Sequence, residues 1–227
     1  MVLRALPAAA GSLLDMALPP ACAGCGDEGA ALCRRCAFAL KGRLELPAGV
    51  PFGLPPTMPM PLAQLEWCAP FAGAVRAALH QLKYSGERRL AVPLGAAMAA
   101  RWRSVGVGAD LLVPVPVHAE RARQRGYDQA VLLAAEISIC LVMPWQVALI
   151  RTRQTRPQFE LGRRARQTNV AGAFGLAGPR QAALVRGRWI VLVDDVATTG
   201  ATLVACAETL LSAGAVAVSA LTVARER

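Results

Sequence analysis

The sequence predicts an α/β fold with a mostly parallel sheet flanked by helices, preceded by a small four-cysteine module. Three observations carry this prediction. From about residue 63 to the end, apolar runs of strand length alternate with helical patterns. One run, Arg188-Trp-Ile-Val-Leu-Val193, is apolar at consecutive rather than alternate positions, the pattern of a parallel strand covered on both faces. Four of the seven cysteines fall within residues 22–36.

Taken in order, residues 1–23 carry Arg4, an apolar stretch and small residues at 21–23, as signal peptides do. Asp15 interrupts that stretch and Pro19-Pro20 follows it, so a short amphipathic helix with Leu13, Leu14 and Leu18 on one face is the better match. Residues 46–62 form a Pro/Gly-rich connector without periodicity or charge, expected to be extended and semi-rigid. Its six prolines also disqualify the longest uncharged run, 46–65, as a membrane span. The chain therefore divides into a cysteine module (1–45), a linker (46–62) and an α/β domain (63–227), and is expected to be soluble and cytoplasmic. Within the α/β domain, helical spacing marks 75–82, an alanine-rich 90–102 and 129–140. Short apolar runs mark strands at 110–116, 146–150, 188–193 and 215–223. A helix over 198–213 places Leu203, Val204, Ala207, Leu210 and Leu211 on its buried face and stops at Gly214.

Cys22-x2-Cys25 and Cys33-x2-Cys36 are two knuckles separated by seven residues. Each CxxC unit brings two sulfurs to one ion, and two units complete a tetrahedral Zn²⁺ site with no open position, which makes its role structural. An iron–sulfur cluster is the main rival, since it also takes four cysteines. Two disulfides fit less well in a chain with no other secreted character. Cys68, Cys140 and Cys206 sit in apolar contexts and read as small core residues.

The charge is uneven. The chain has a formal net charge of +10, with 25 Lys and Arg of which only Lys41 and Lys83 are lysine. Residues 76–166 hold 14 Arg and Lys83 against six acidic residues, a balance of +9, so nearly all the excess lies in one middle segment. That concentration points to a phosphate-rich ligand, nucleic acid or an acidic surface.

The most informative stretch is Trp189-Ile-Val-Leu-Val-Asp194-Asp195-Val196-Ala197-Thr198-Thr199-Gly200-Ala201-Thr202. A buried strand delivers two adjacent carboxylates to a sheet edge, and a Thr/Gly turn then opens a helix. Backbone N–H groups, the positive end of the helix dipole and threonine hydroxyls make this turn an anion site. The carboxylates would repel a bare polyphosphate, whereas a ribose carrying a phosphate arm offers them hydroxyls. Neither GxxxxGK[ST] nor a strand-borne GxGxxG is present, so an NTPase loop and a dinucleotide site are not supported. A plain capped helix, with Asp195 or Thr198 as N-cap, explains one polar residue and not the whole run.

This run resembles the phosphoribosyl pyrophosphate (PRPP) signature of the type I phosphoribosyltransferases, over 13 residues. The resemblance implies that fold, with a small hood, and assigns Asp194 and Asp195 to the ribose hydroxyls and catalysis, Ala197, Thr198, Thr199, Gly200, Ala201 and Thr202 to the 5′-phosphate, and Val196 to the PRPP-binding residues. Further patterns narrow it: Lys83-Tyr84-Ser85-Gly86; Val113-Pro-Val-Pro116-Val117-His118 leading to Arg121, Arg123 and Arg125-Gly126-Tyr127-Asp128-Gln129; then Arg151, Thr155, Gln158, Leu161, Arg166, Asn169 and Gly172-Ala-Phe174. With the four cysteines, the order of these motifs is similar to the ComF family, implicated in DNA uptake during natural competence. Asp128 stands where that pattern leads one to expect Asn, and Tyr127 where Phe is common.

The resemblance implies a pyrophosphate loop at 116–123 and a mobile loop at 151–166. It makes Lys83, Tyr84, Val117, His118, Arg121, Arg123, Arg125 and Arg163 candidates for pyrophosphate or loop contacts. His80, on a helix, reads as structural. The expected activity is transfer of phosphoribosyl from PRPP, with Mg²⁺, to an acceptor that the sequence does not name. The competing reading is a non-catalytic module that binds single-stranded DNA or a helicase partner, and a third is a PRPP-responsive regulator. Sparse aromatics in the basic segment argue against a base-stacking platform.

Overall fold

A computed structural model of the chain describes residues 19–48, 61–152 and 172–226. The expected amphipathic helix before residue 19 and most of the linker and mobile loop, with Arg163, lie outside the described residues. In chain order the elements are α1 (Arg34–Ala37), β1 (Leu65–Pro70), α2 (Gly73–His80), α3 (Ala91–Val105), β2 (Leu111–Pro114), α4 (Ala119–Arg125), α5 (Gln129–Leu141), β3 (Leu149–Arg151), β4 (Phe174–Leu176), α6 (Pro179–Val185), β5 (Trp189–Ala197), α7 (Ala201–Ser212) and β6 (Ala217–Arg225). Strands β1, β6, β5 and β2 lie side by side in that order, all parallel. β3 and β4 form a separate antiparallel pair.

The consecutive apolar residues of β5 are used as their pattern predicts. Val191 and Val193 face one core with Leu94, Met98, Leu133 and Ile137 of α3 and α5. Ile190 and Leu192 face the other, with Leu203, Cys206 and Leu210 of α7. Each such side chain contributes about 1.5–3 kcal/mol of transfer free energy, so the central strand is fixed from both sides. Pro114, the last residue of β2, pairs with Val193 of β5, which continues to Ala197, and Val115 N–H donates to Val193 O (2.9 Å). The loops that follow these two strands therefore leave the sheet together at its carboxyl edge, where ligands of open α/β sheets bind.

The cysteine module is not a bead on a string. Cys22, Ala23, Ala31, Leu32 and Leu40 are buried in the same core as Cys68, Val75 and Leu79. A buried ion pair ties it down further. Arg101 on α3 donates to both β1 and the module: Nε and Nη2 reach Glu66 Oε2 (2.9 and 2.7 Å), and the guanidinium also donates to the carbonyls of Arg43, Leu46 (2.7 Å) and Pro47 (3.1 Å).

Several boundaries differ from the sequence expectation. The signature strand runs on to Ala197, so the acidic pair lies within it, and the helix begins at Ala201 rather than 198. Gly200, at φ +79°, is the N-cap; neither Asp195 nor Thr198 caps this helix. The strand expected at 146–150 forms at Leu149–Arg151 and pairs with β4 rather than joining the parallel sheet. The helix expected to end near residue 82 continues past α2 as one π-helical turn, Gln81–Ser85, closed by Gly86 at φ +75°.

Candidate functional site

β5 delivers Asp194 and Asp195 to the carboxyl edge of the sheet, and the backbone after them turns through Thr198–Gly200 into α7. Asp195 Oδ1 accepts the N–H of Val196 (2.9 Å), and Asp194 Oδ1 accepts that of Asp195 (2.8 Å). Asp195 is 5% exposed. Its Oδ2 is paired with the ammonium of Lys83, which the π-helical turn carries in from the other side. Burial pushes the Asp195 carboxyl up, but Lys83 overrides it and holds the group below the ordinary carboxylate range. Asp194 has the opposite fate. Burial, and then the adjacent Asp195 charge, lift it well above that range. The Lys83 ammonium is drawn down by burial and held up more strongly by Asp195 and Asp194, for a net rise.

A cavity of about 610 Å³ lies over this edge. One wall is the acidic pair with Val196, Ala197, Thr198, Gly200, Ala201 and Thr202. The opposite wall is the loop after β2 and α4: Val115 to His118, Glu120, Arg121 and Arg125. Because glycine has no side chain to cap with, the first-turn amides of α7 depend on other partners; the Thr199 hydroxyl accepts from Ala201 N–H (3.4 Å). That leaves a helix N-terminus facing a cavity that Lys83, Arg121, Arg125 and Arg151 line together with the carboxylates of Glu120, Asp194, Asp195 and Glu226, and such a terminus can bind a phosphate.

The opposite wall is braced by α5. Asp128, its N-cap, accepts from Ala130 N–H (2.8 Å) and reaches back to Val117 N–H (3.4 Å). His118 Nδ1 accepts from Glu120 N–H (3.3 Å) and so caps α4 while its ring lines the cavity.

In the cysteine module the Sγ atoms of Cys22, Cys25, Cys33 and Cys36 all lie within 4.8 Å of one another. No disulfide joins them. Cys22 Sγ accepts from the N–H of Gly24 (3.4 Å) and of Cys33 (3.3 Å). Burial raises the Cys22 thiol, but these amide donors override it and bring it down to about 6. Thiols gathered at this spacing, with amides aimed at a sulfur, fit a tetrahedral thiolate site for a metal such as zinc.

Comparison with known proteins agrees with this geometry. The phosphoribosyl transferase domain family matches residues 128–227. Competence protein F of Haemophilus influenzae is 37% identical over 95 residues, 41% of each chain. Competence protein ComFC of Bacillus subtilis is 34% identical over 116 residues, 51% of this chain and 44% of that protein. The DNA utilization protein YhgH of Escherichia coli (strain K12) is 36% identical over 194 residues, 82% of this chain and 81% of the relative. The chain belongs to the ComF family.

In this ComF-family chain, Lys83, Tyr84, Val117, His118, Arg121 and Arg125 all line the cavity with the acidic pair. Arg123 and Thr199 do not line it. Arg151, quoted only as part of a pattern, does, together with Gln129, Glu226 and Phe71. Glu226 arrives because its N–H donates to Ala197 O (2.9 Å) just past the paired ends of β5 and β6, Ala197 and Arg225; no local motif announces it. The basic segment is only partly a site feature. Arg101 is spent in the buried pair, and Arg103 donates to Cys140 O (2.6 Å) on the far side. The identification of Cys68 and Cys206 as core thiols holds, since both are fully buried, and burial pushes Cys68 up to about 12. Among the described residues no helix is long and apolar enough to cross a membrane.

Proposed function

We propose that this ComF-family protein binds PRPP with Mg²⁺ and transfers its phosphoribosyl group to an acceptor with release of pyrophosphate, in the context of DNA uptake or nucleotide salvage. The observation that carries this is the acidic pair and phosphate turn at the carboxyl edge of β5, facing a basic loop across a cavity of about 610 Å³. Asp194 and Asp195 would accept the two ribose hydroxyls, and residues 197–202 would hold the 5′-phosphate. Arg121 would meet the pyrophosphate, where charge-assisted bonds strengthen as the anomeric C–O bond breaks. The leaving pyrophosphate takes the electron pair of that bond, and an acceptor lone pair forms the new bond to the anomeric carbon. No protein nucleophile is needed; positioning and electrostatics do the work. Mg²⁺, bound largely by ribose and pyrophosphate oxygens, would supply positive charge to the leaving group. Zinc at Cys22, Cys25, Cys33 and Cys36 would be structural, because four thiolates leave no open position.

Calorimetry with PRPP and Mg²⁺ on wild type and Asp195→Ala tests this. The wild type should bind and the variant should lose at least about tenfold, the equivalent of 1.4 kcal/mol; equal binding, or none to either, overturns the reading. Pyrophosphate release then separates an enzyme from a PRPP-responsive regulator. A second reading, a module that binds single-stranded DNA or a helicase partner, draws on the names of the relatives and on arginines such as Arg76 and Arg123 that lie outside the cavity lining. It requires binding of single-stranded DNA that weakens with salt and with loss of those arginines.

A further inference from the structure

A second cleft, of about 590 Å³, adjoins the first, and Lys83, Tyr84, Arg121, Gln124 and Arg125 line both. Tyr127 completes the second cleft and does not line the first. The 227-residue chain has two tyrosines, and both are here. Tyr84 is 66% exposed, and its ring centroid lies 4.7 Å from that of His80. Each ring already carries a guanidinium: Arg125 lies 5.1 Å from the Tyr84 centroid and Arg88 lies 4.6 Å from that of Tyr127. The described lining contains three cations and no carboxylate. Arg125 commits one N–H to Gln129 Oε1 (2.8 Å), and neither Arg121 nor Arg125 has an ion-pair partner among the described residues.

We propose that this cleft receives the acceptor, and that the acceptor is a planar heteroaromatic ring bearing a carboxylate. The proposal rests on the phosphoribosyl-transfer reading above and names the substrate class for it. Lys83 is already paired with Asp195 and Arg121 is given to the pyrophosphate, so a neutral base would use the tyrosine faces and leave the Arg125 guanidinium without an anion. A phosphate would use the cations and leave the rings idle. A carboxylated ring uses both: a flat face for Tyr84, a bidentate acceptor for a guanidinium, and a heteroatom edge for the Gln124 amide. The shared wall of Lys83, Tyr84, Arg121 and Arg125 puts such a ring next to the cavity that would hold the phosphoribosyl group, as transfer requires.

Matched pairs differing in the carboxylate test this on the full chain: nicotinate against nicotinamide, and orotate against uracil, titrated calorimetrically with and without PRPP and Mg²⁺. At least one acid should bind about tenfold or more tighter than its neutral partner, the scale of one charge-assisted contact. Arg125→Gln should remove that preference, while Tyr84→Ala should weaken both members of the pair alike. Equal binding of acid and neutral partner, absence of binding in both forms, or displacement by inorganic phosphate at equal concentration overturns the proposal. If PRPP fails to bind while the acid preference persists in the unliganded chain, the transfer reading falls and the anionic-ring site stands; if PRPP binds and no acid preference is seen, the reverse holds.

Discussion

Two carboxylates on adjacent residues of one buried strand end cannot both ionise without cost, and this chain splits the burden unequally. Lys83 stabilises Asp195, while Asp194 is left with burial and a negative neighbour. An acid whose folded value is raised binds its proton more tightly when folded. Its destabilising effect is therefore absent below the ordinary carboxylate range, grows as pH rises through the folded value, and is complete above it. Asp194→Asn is accordingly expected to raise the melting temperature at pH above that value, by roughly 2–4 °C for each kcal/mol of repulsion relieved, and to give no gain in acid. PRPP affinity should fall in the same variant, because a carboxylate acceptor is lost. Melting curves of both proteins across pH check the sign; a lower melting temperature at neutral pH would refute the account. Lys83→Met acts oppositely, leaving the buried Asp195 and its part-buried neighbour Asp194 without their counter-ion, and should destabilise by about 1–3 kcal/mol in denaturant titration, less than a fully buried pair because Lys83 retains some solvent. The acidic pair was legible in the sequence because strand, acids and turn are contiguous. The Lys83–Asp195 pair was not, because its halves lie on different elements and nothing local in Lys83-Tyr84-Ser85-Gly86 names the partner.

At the scale of elements, the fold read from the sequence succeeded where a run was long and uniform and failed where burial and polarity conflicted. β5, α5 and α7 were found with shifted ends. β1 was missed because Glu66 interrupts its apolar run; the charge is tolerated there because Arg101 and Arg43, outside the strand, neutralise it. β3 was misplaced and β4 was missed because three-residue strands carry too little periodicity, and their partner is set by tertiary pairing. The knuckles were legible from spacing, yet their docking was not. An added Cβ at Gly24 would lie 2.6 Å from Cys36 Sγ and 2.7 Å from Ala74 Cβ on α2, so this glycine is a close contact between the cysteine site and the helix that leads to Lys83. Gly24→Ala should lower the zinc content measured by atomic emission and cost about 1–3 kcal/mol of stability through overpacking. Full zinc occupancy with unchanged stability would mean that the module and α2 have room the structure does not have.

Across the whole molecule, the cysteine module, β1, α2 and α3 form one packed unit rather than two domains joined by a tether. Its apolar residues share a core with the parallel sheet, and Arg101 binds the carbonyls of 43–47 and the carboxylate of Glu66 together. Removing one member of that buried pair leaves the other charge in the core, so Arg101→Met is expected to cost about 3–5 kcal/mol, whereas Arg101→Met with Glu66→Leu should recover much of the loss. The same unity governs metal removal. If zinc holds the four cysteines, stripping it with a strong chelator frees residues 20–40, and with them the buried Cys22, Leu32 and Leu40 that cover Val75 and Leu79 of α2. The π-helical turn at the end of α2 carries Lys83 to Asp195, so loosening the metal site should reach the PRPP site through one helix. Calorimetric melting of the stripped protein should give a single transition below that of the zinc form, with weaker PRPP binding and recovery of both when zinc is restored. Two transitions, the upper one unmoved, would mean instead that the module unfolds alone and that the α/β domain holds its site without it.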